Sequence, residues 1–238
     1  MKLTNKKNTW YNITNKINER SDIMSIKVEV WGDYACFSRP ELKIERFTYD
    51  CITPSAARGI LDAIMWHPGL VWVIDKIYIL SPIEFTNIRR NEVKSKLLSS
   101  KAKSAMSGNS VDLFIDTASD IQQRAATVLK NVHYVIEAHF DMTDKANQSD
   151  NPGKFQEMIK RRLNKGQCYH QPYLGCREFP AKFRRWEFDT VPTVDISSDL
   201  GLMLYDMDYS DKNNITPMYF RAKIQNGVVD LKDCEVLR

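Results

Sequence analysis

The sequence predicts an α+β protein, with a ferredoxin-like (RNA-recognition-motif-like) βαββαβ domain followed by a small antiparallel β-sheet domain. Three patterns predict it. Apolar and polar residues alternate over Ile26–Trp31 and again over Val132–Met142, as in half-buried strands. Between them, Ala57, Ile60, Leu61 and Ile64 recur at helical spacing. Past residue 150 a short helix gives way to strand-like runs and to Asn226-Gly227, a strong two-residue hairpin signal.

Each element has its own local cause. Residues 1–24 are rich in Asn and Lys, lack periodicity, and read as a flexible N-terminal extension. Met24 directly precedes the first strand, so translation is expected to start at either Met1 or Met24. Thr53-Pro54 supplies a helix cap followed by proline at the first helical position, and His67-Pro68-Gly69 stops that helix. Leu70–Leu80 is β-branched and aromatic and reads as a strand. A basic, Ser-rich loop is expected from about Arg89 to Asn109, ordering on contact with a partner. Val111–Ile115 reads as a strand, and Ser119 as the cap of a helix running to about Leu129. These elements make up a first domain, 25–150. The second, 151–238, opens with a helix that places Phe155, Met158, Ile159 and Leu163 on one face and ends at Gly166. Strands are expected over Tyr173–Phe183, Gly201–Tyr209, Met218–Ile224 and Val228–Leu231.

Composition excludes several classes. Of 238 residues, 43% are hydrophobic and 27% charged, which a packed core needs and a disordered tail lacks. No apolar run is long enough to span a bilayer, so no membrane partner is expected. The five cysteines form no CxxC pair, which points to a reducing, cytoplasmic setting and to neither a disulfide framework nor a zinc site. There is no Gly-x-Ser-x-Gly elbow, no phosphate-binding glycine loop and no paired acids for two metals, so no cofactor and no metal are expected. His133 and His139 share a strand face six residues apart, a spacing that fits a structural role better than metal ligation.

The net charge of +4 is small, but the basic residues cluster. One cluster runs over 89–103 and includes Arg89, Arg90 and Lys94. A second holds Lys154, Lys160, Arg161, Arg162 and Lys165. A third holds Arg177, Lys182, Arg184 and Arg185. A solvated face explains any one of them; three together favour a nucleic-acid surface. RNA cleavage without metal needs a base for the 2′-hydroxyl, a cation beside the phosphorane and an acid for the leaving oxygen. Lys154 is the candidate cation, because the first turn of a helix already favours an anion. The competing reading is an exposed lysine lying over Phe155. His170, in a Gln/Pro-rich loop beside Tyr169, could titrate near neutrality as acid or base, or have no function.

Several blocks resemble the type I-C CRISPR-associated proteins of the Cas five family, subtype d or c. They are Val30–Phe37 (VWGDYACF) with Arg39-Pro40, and Thr53–Ile60 (TPSAARGI), followed by Ile88–Val93 (IRRNEV), Gln122–Ala126 (QQRAA), Glu137–Phe140 (EAHF) and Tyr173–Phe179 (YLGCREF). The similarity runs from about Lys27 to the C-terminus. It implies an endoribonuclease of antiviral defence that cuts precursor CRISPR RNA within its repeat without metal. The implied partners are the CRISPR repeat RNA, the crRNA 5′ handle that the protein retains, and the backbone and large subunits of type I-C Cascade.

The resemblance also implies a Tyr or His before the Trp that ends the first helix, and a Lys-His pair opening the later helix. Here those positions are Met65 and Lys154-Phe155, so only the lysine matches. His67 and His170 are the expected substitutes. Arg58, Arg89, Arg90, Arg124 and Arg177 lie in or beside the matched blocks and are expected to grip the 5′ handle, with Tyr34, Phe37 and Trp66 as stacking platforms. For each aromatic the core is the competing place. The alternative function is a non-catalytic Cascade subunit that binds and caps the handle.

Overall fold

The computed structural model describes residues 25–42, 45–211 and 213–238; the N-terminal extension and Met24 lie outside them. The protein is a mixed α/β fold with two antiparallel-dominated sheets. The first contains β1 (Ile26–Ala35), β2 (Arg46–Phe47), β3 (Leu70–Ile79), β4 (Phe85–Val93), β5 (Ile121–Met142), β6 (Lys182–Arg185) and β9 (Val228–Asp230). Its strands run β6-β1-β5-β3-β9, while β2 and β4 also pair with β5. The second sheet is β10 (Val236–Leu237), β8 (Thr216–Ile224) and β7 (Ser198–Asp208), in that order.

β5 organises the first sheet. Its C-terminal half lies between β1 and β3, both antiparallel to it, and its N-terminal half pairs with β4. Tyr134, Ile136, Ala138 and Phe140 face the core with Val28, Val30 and Trp72. Two helices cover that face. α1 (Pro54–Ile64) buries Ala57, Ile60, Leu61 and Ile64, and α3 (Pro152–Lys165) buries Phe155, Ile159 and Leu163. One core cluster continues from there into Met203, Phe220 and Ile224 of the second sheet.

The cap residues act as the sequence requires. The Thr53 side chain accepts a hydrogen bond from the Ala56 N–H, and the Asn151 side chain accepts one from the Lys154 N–H. Gly166 ends α3 at φ 61, a left-handed conformation that a Cβ would strain. Asn226 and Gly227 both have positive φ (49 and 74), and Gln225 and Val228 exchange two backbone hydrogen bonds, as in a type I′ hairpin.

Three expectations for 89–129 are corrected. Val111–Ile115 is not a strand, and Ser119–Leu129 is not a helix: a turn leads into β5, which begins at Ile121. Gln122–Leu129 suits either state locally; nine register pairs with β4 decide it, and Ala126 and Val128 turn inward as strand residues. Arg89–Asn109 is not an irregular loop: it carries the end of β4 and the helix α2 (Ser99–Met106), whose residues are none of them buried. Further on, Tyr173–Phe183 is mostly irregular, with an isolated bridge between Tyr173 and Pro180 before β6. β6 and β9 join the first sheet as its two edges, beside β1 and β3.

Candidate active site

The C-terminal end of α1 is where the site assembles. Met65 closes the helix with its N–H on the Leu61 carbonyl and is buried. The chain then exposes Trp66 and turns at His67-Pro68-Gly69, where the Gly69 N–H donates to His67 Nδ1 at 3.0 Å. Two later segments dock here. Arg162 of α3 donates to the Ile64 carbonyl at 2.6 Å, and the backbone N–H groups of Tyr169 and His170 both donate to the Ala63 carbonyl.

Three of the predicted residues therefore lie around one helix end. His67 Nε2 is 3.9 Å from Asp150 Oδ2, and Lys154 Nζ is 2.8 Å from Asp150 Oδ1. The Asp150 side chain is only 2% exposed, whereas that of Lys154 is 44% exposed. The Lys154 ammonium, together with the Asn147 N–H, holds the Asp150 carboxyl below the usual carboxylate range. Asp150 thus anchors the lysine at the mouth of α3 while leaving the rest of its ammonium to water. No sequence signal marked Asp150, which precedes the cap residue in a polar loop.

The two histidines differ in what they can do. Nδ1 of His67 accepts the Gly69 N–H, so its neutral ring carries the proton on Nε2 and is a hydrogen-bond donor there. His170 is exposed and its Nδ1 faces the Gln171 carbonyl at 3.4 Å, which favours the tautomer with a free lone pair on Nε2. His170 can take a proton; His67 is built to donate a hydrogen bond. Phe155, where the resemblance expects histidine, is fully buried and packs against the His67 ring, the centroids 4.9 Å apart and the planes tilted by 52°.

The expected RNA contacts separate into two groups. Arg89, Lys94, Arg161 and Arg177 are exposed, with no side-chain hydrogen bond or ion pair among the described residues. The others are engaged. Arg58 makes two bonds to Asp206 and one to Asp62. Arg90 pairs with Glu178 and lies over the Phe179 ring, Arg124 pairs with Glu92, and Arg162 is held at Ile64. Of the aromatics, Trp66 is 54% and Tyr34 42% exposed, but Phe37 is 3% exposed and packs edge-on against Tyr134. Phe37 is a core residue, because the chain leaving β1 turns into the sheet interior at Ala35–Phe37; its expected stacking role is corrected.

The outer face of the first sheet has a different character. His133 is 2.7 Å from Glu29, which also binds Arg184; His139 is 2.9 Å from Asp75, and Tyr78 donates to Glu137 at 2.6 Å. The two histidines have the structural partners that their spacing predicts. A cavity of about 350 Å³ at the other end of α1, lined by Ser38, Thr53, Ser55 and Tyr173 among others, contains no charged side chain.

Comparison with known proteins identifies the family. The family model for Cas5d, a CRISPR-associated protein family, matches residues 25–232. A Mannheimia succiniciproducens protein named CRISPR pre-crRNA endoribonuclease Cas5d is 54% identical over 213 residues, covering 87% of this chain and 94% of that protein. A Thermus thermophilus protein of the same name is 37% identical over 223 residues, covering 87% and 90%. Two solved structures share the fold at 19% identity, each covering 90% of this chain and 97% of its own. One is described as a CRISPR-associated protein (TM-score 0.65) and the other as a functionally uncharacterized Streptococcus mutans protein (TM-score 0.63). This chain belongs to the Cas5d family of CRISPR-associated proteins.

Proposed function

We propose that this protein is a metal-independent endoribonuclease that cuts precursor CRISPR RNA within its repeat and stays on the 5′ handle as a subunit of type I-C Cascade. The 54%-identical relative named for that activity supports the substrate. The single geometric observation that carries the reading is Lys154, half-exposed at a helix N-terminus and steadied by Asp150 beside His67. A phosphate seated there meets the Lys154 ammonium at the positive end of the α3 dipole.

In this mechanism His170 Nε2 takes the proton of the 2′-hydroxyl and the 2′ oxygen attacks phosphorus. The bond to the 5′ oxygen breaks, leaving a 2′,3′-cyclic phosphate. Lys154 offsets the charge of the phosphorane, as a preorganised cation does in a partly dry site. His67 donates from Nε2 to the departing 5′ oxygen, a neutral imidazole acting as donor, and solvent supplies the proton.

A second reading, a non-catalytic subunit that only caps the handle, is favoured by the burial of Met65 and Phe155, neither of which reaches solvent. Incubation of labelled repeat RNA with the protein in chelator separates the two. Discrete products with cyclic phosphate ends mean enzyme; binding with intact RNA means cap.

The fold reading goes with this function. We read strands β1, β3, β5 and β6 as one ferredoxin-like unit with α1 and α3 as its crossovers, supported by the order β6-β1-β5-β3. Residues 25–150 supply three of its strands; 151–238 supply the fourth and the second sheet. The expected partners are the neighbouring Cascade backbone and large subunits. The expected place is the cytoplasm, in keeping with five free cysteines. No helix among the described residues is long and apolar enough to cross a membrane.

A further inference from the structure

Beside the Lys154 cluster, two large aromatic rings stand more than half in water. Trp66 is 54% and Tyr169 66% exposed; their ring centroids lie 6.3 Å apart with the planes tilted by 32°. Both stand on rigid ground. Trp66 follows the buried Met65, and the Tyr169 backbone is tied to the Ala63 carbonyl at 2.8 Å. With Asp62 and His170 they line a notch of about 220 Å³.

Asp62 is the acid of that notch, and it is oriented. Arg58 Nη1 donates to Asp62 Oδ2 at 2.9 Å, and Arg58 is itself fixed by two bonds to Asp206. Asp62 Oδ1 has no hydrogen-bond partner among the described residues. The notch thus offers two π faces and an acceptor-only edge. Unstacked bases of single-stranded RNA settle on such faces regardless of sequence. The carboxylate discriminates among them. Guanine presents two adjacent donors, N1–H and N2–H. Uracil presents one N–H between two carbonyls, and adenine and cytosine set an amino group beside a ring acceptor; each brings a lone pair against Asp62.

We infer that the notch of Asp62, Trp66, Tyr169 and His170 is a guanine subsite. It holds one unstacked base of the substrate RNA on the two rings, with Asp62 accepting from its N1–H and N2–H. The inference rests on the proposed RNA-cutting function, which makes RNA the occupant. The sugar of the bound nucleotide then leaves the notch beside His170, so the subsite selects which 2′-hydroxyl is presented.

The test is fluorescence anisotropy of the full chain with labelled uridine heptamers carrying guanosine, adenosine, cytidine or uridine at the centre. The guanosine heptamer is expected to bind about tenfold tighter than the other three, the low end of what one bidentate contact to a base edge discriminates. Asp62→Asn is expected to level the four affinities. Trp66→Ala and Tyr169→Ala are expected to weaken all four, and Trp66→Phe to restore them. Thermal melts of each variant check the fold, and the two aromatic positions give independent routes should one variant melt early. Equal affinities for the four heptamers, or a guanosine preference that survives Asp62→Asn, would overturn the subsite. Guanosine preference without repeat cleavage upholds the subsite and removes the nuclease reading; cleavage without preference does the reverse.

Discussion

The outer face of the first sheet and the rim at the end of α1 both carry histidines, acids and bases, yet they differ in how those groups are satisfied. On the sheet, Glu29 is closed by His133 and Arg184, Asp75 by His139, and Glu137 by Tyr78. Burial pushes the Glu29 pKa up, but the hydrogen bonds from Arg184 and His133 outweigh it and leave it below the ordinary value. On the rim, Lys154 uses one acceptor and leaves its remaining N–H donors in water, His170 keeps a nitrogen free, and Asp62 keeps an oxygen free. Polar groups that complete their bonding inside the chain hold it together; groups left half-satisfied on rigid supports are available to a ligand.

The largest effect that can break this contrast is at Lys154. Lys154→Ala is expected to slow chelator-resistant cleavage of repeat RNA by about 10²–10³-fold, the scale of losing one preorganised charge, measured at a temperature where the variant's melt shows it folded. Cleavage at the parental rate would remove the lysine from the mechanism. Next comes the double variant His67→Ala/His170→Ala, for which a loss of about 10²-fold is expected. Undiminished turnover in that variant sinks both histidine assignments.

A smaller effect separates the free from the engaged arginines. Replacing Arg89, Lys94, Arg161 or Arg177 by Ala is expected to weaken handle-RNA binding. It should also flatten the dependence of log affinity on log salt by about one unit for each phosphate left without its cation. Arg124→Ala should leave the slope nearly unchanged, because its guanidinium already pairs with Glu92. Equal slope changes at Arg124 and Arg89 would show that the internal pairs open for RNA.

How far the sequence foretold these two regions depends on whether the deciding interaction is local. α1 and α3 were legible because Thr53-Pro54 and Asn151-Pro152 cap them within a few residues. The final hairpin was legible because Asn226-Gly227 alone sets its turn. The start of β5 was not: Gln122–Leu129 takes its state from β4, some thirty residues earlier in the chain. Nor was the membership of β6 and β9 in the first sheet, which depends on pairing with β1 and β3 at sequence distances of over a hundred residues. At the rim, Lys154 and His170 were named as candidates from type and position, and His67 as the substitute for a position that the resemblance implies. Asp150, Asp62 and Tyr169 were not, since an acid or tyrosine acquires meaning only from what folds beside it.

On the sheet face the expected effects fall on stability instead. Glu29→Gln keeps the shape but removes the charge shared by Arg184 and His133, and is expected to cost about 1 kcal/mol in denaturant unfolding. Arg184 remains in water, which limits the loss. Cleavage is expected to stay at the parental rate, and a fall in cleavage with intact stability would tie the sheet face to the RNA.

The smallest effect concerns His139, and its sign is fixed by its partner. The hydrogen bond to Asp75 raises the His139 pKa above its ordinary 6.5, burial opposes that, and Asp75 and Asp141 add attraction while Lys232 subtracts. A histidine with a raised folded pKa stabilises the fold below its unfolded pKa and loses that contribution as pH climbs through the folded one. The unfolding free energy of the parent minus that of His139→Gln should therefore be larger at pH 5.5 than at pH 8.5. Burial of the imidazole opposes the gain from Asp75, so the difference should be less than about 1 kcal/mol. At the rim, Lys154 lowers the Asp150 pKa, so that pair's contribution is lost only in acid, as pH falls through the folded pKa. Lys154→Ala should therefore show a flat difference between pH 5.5 and 8.5. If the two differences instead ran parallel with pH, the division between a self-satisfied face and a ligand-facing rim would fail at its most sensitive point.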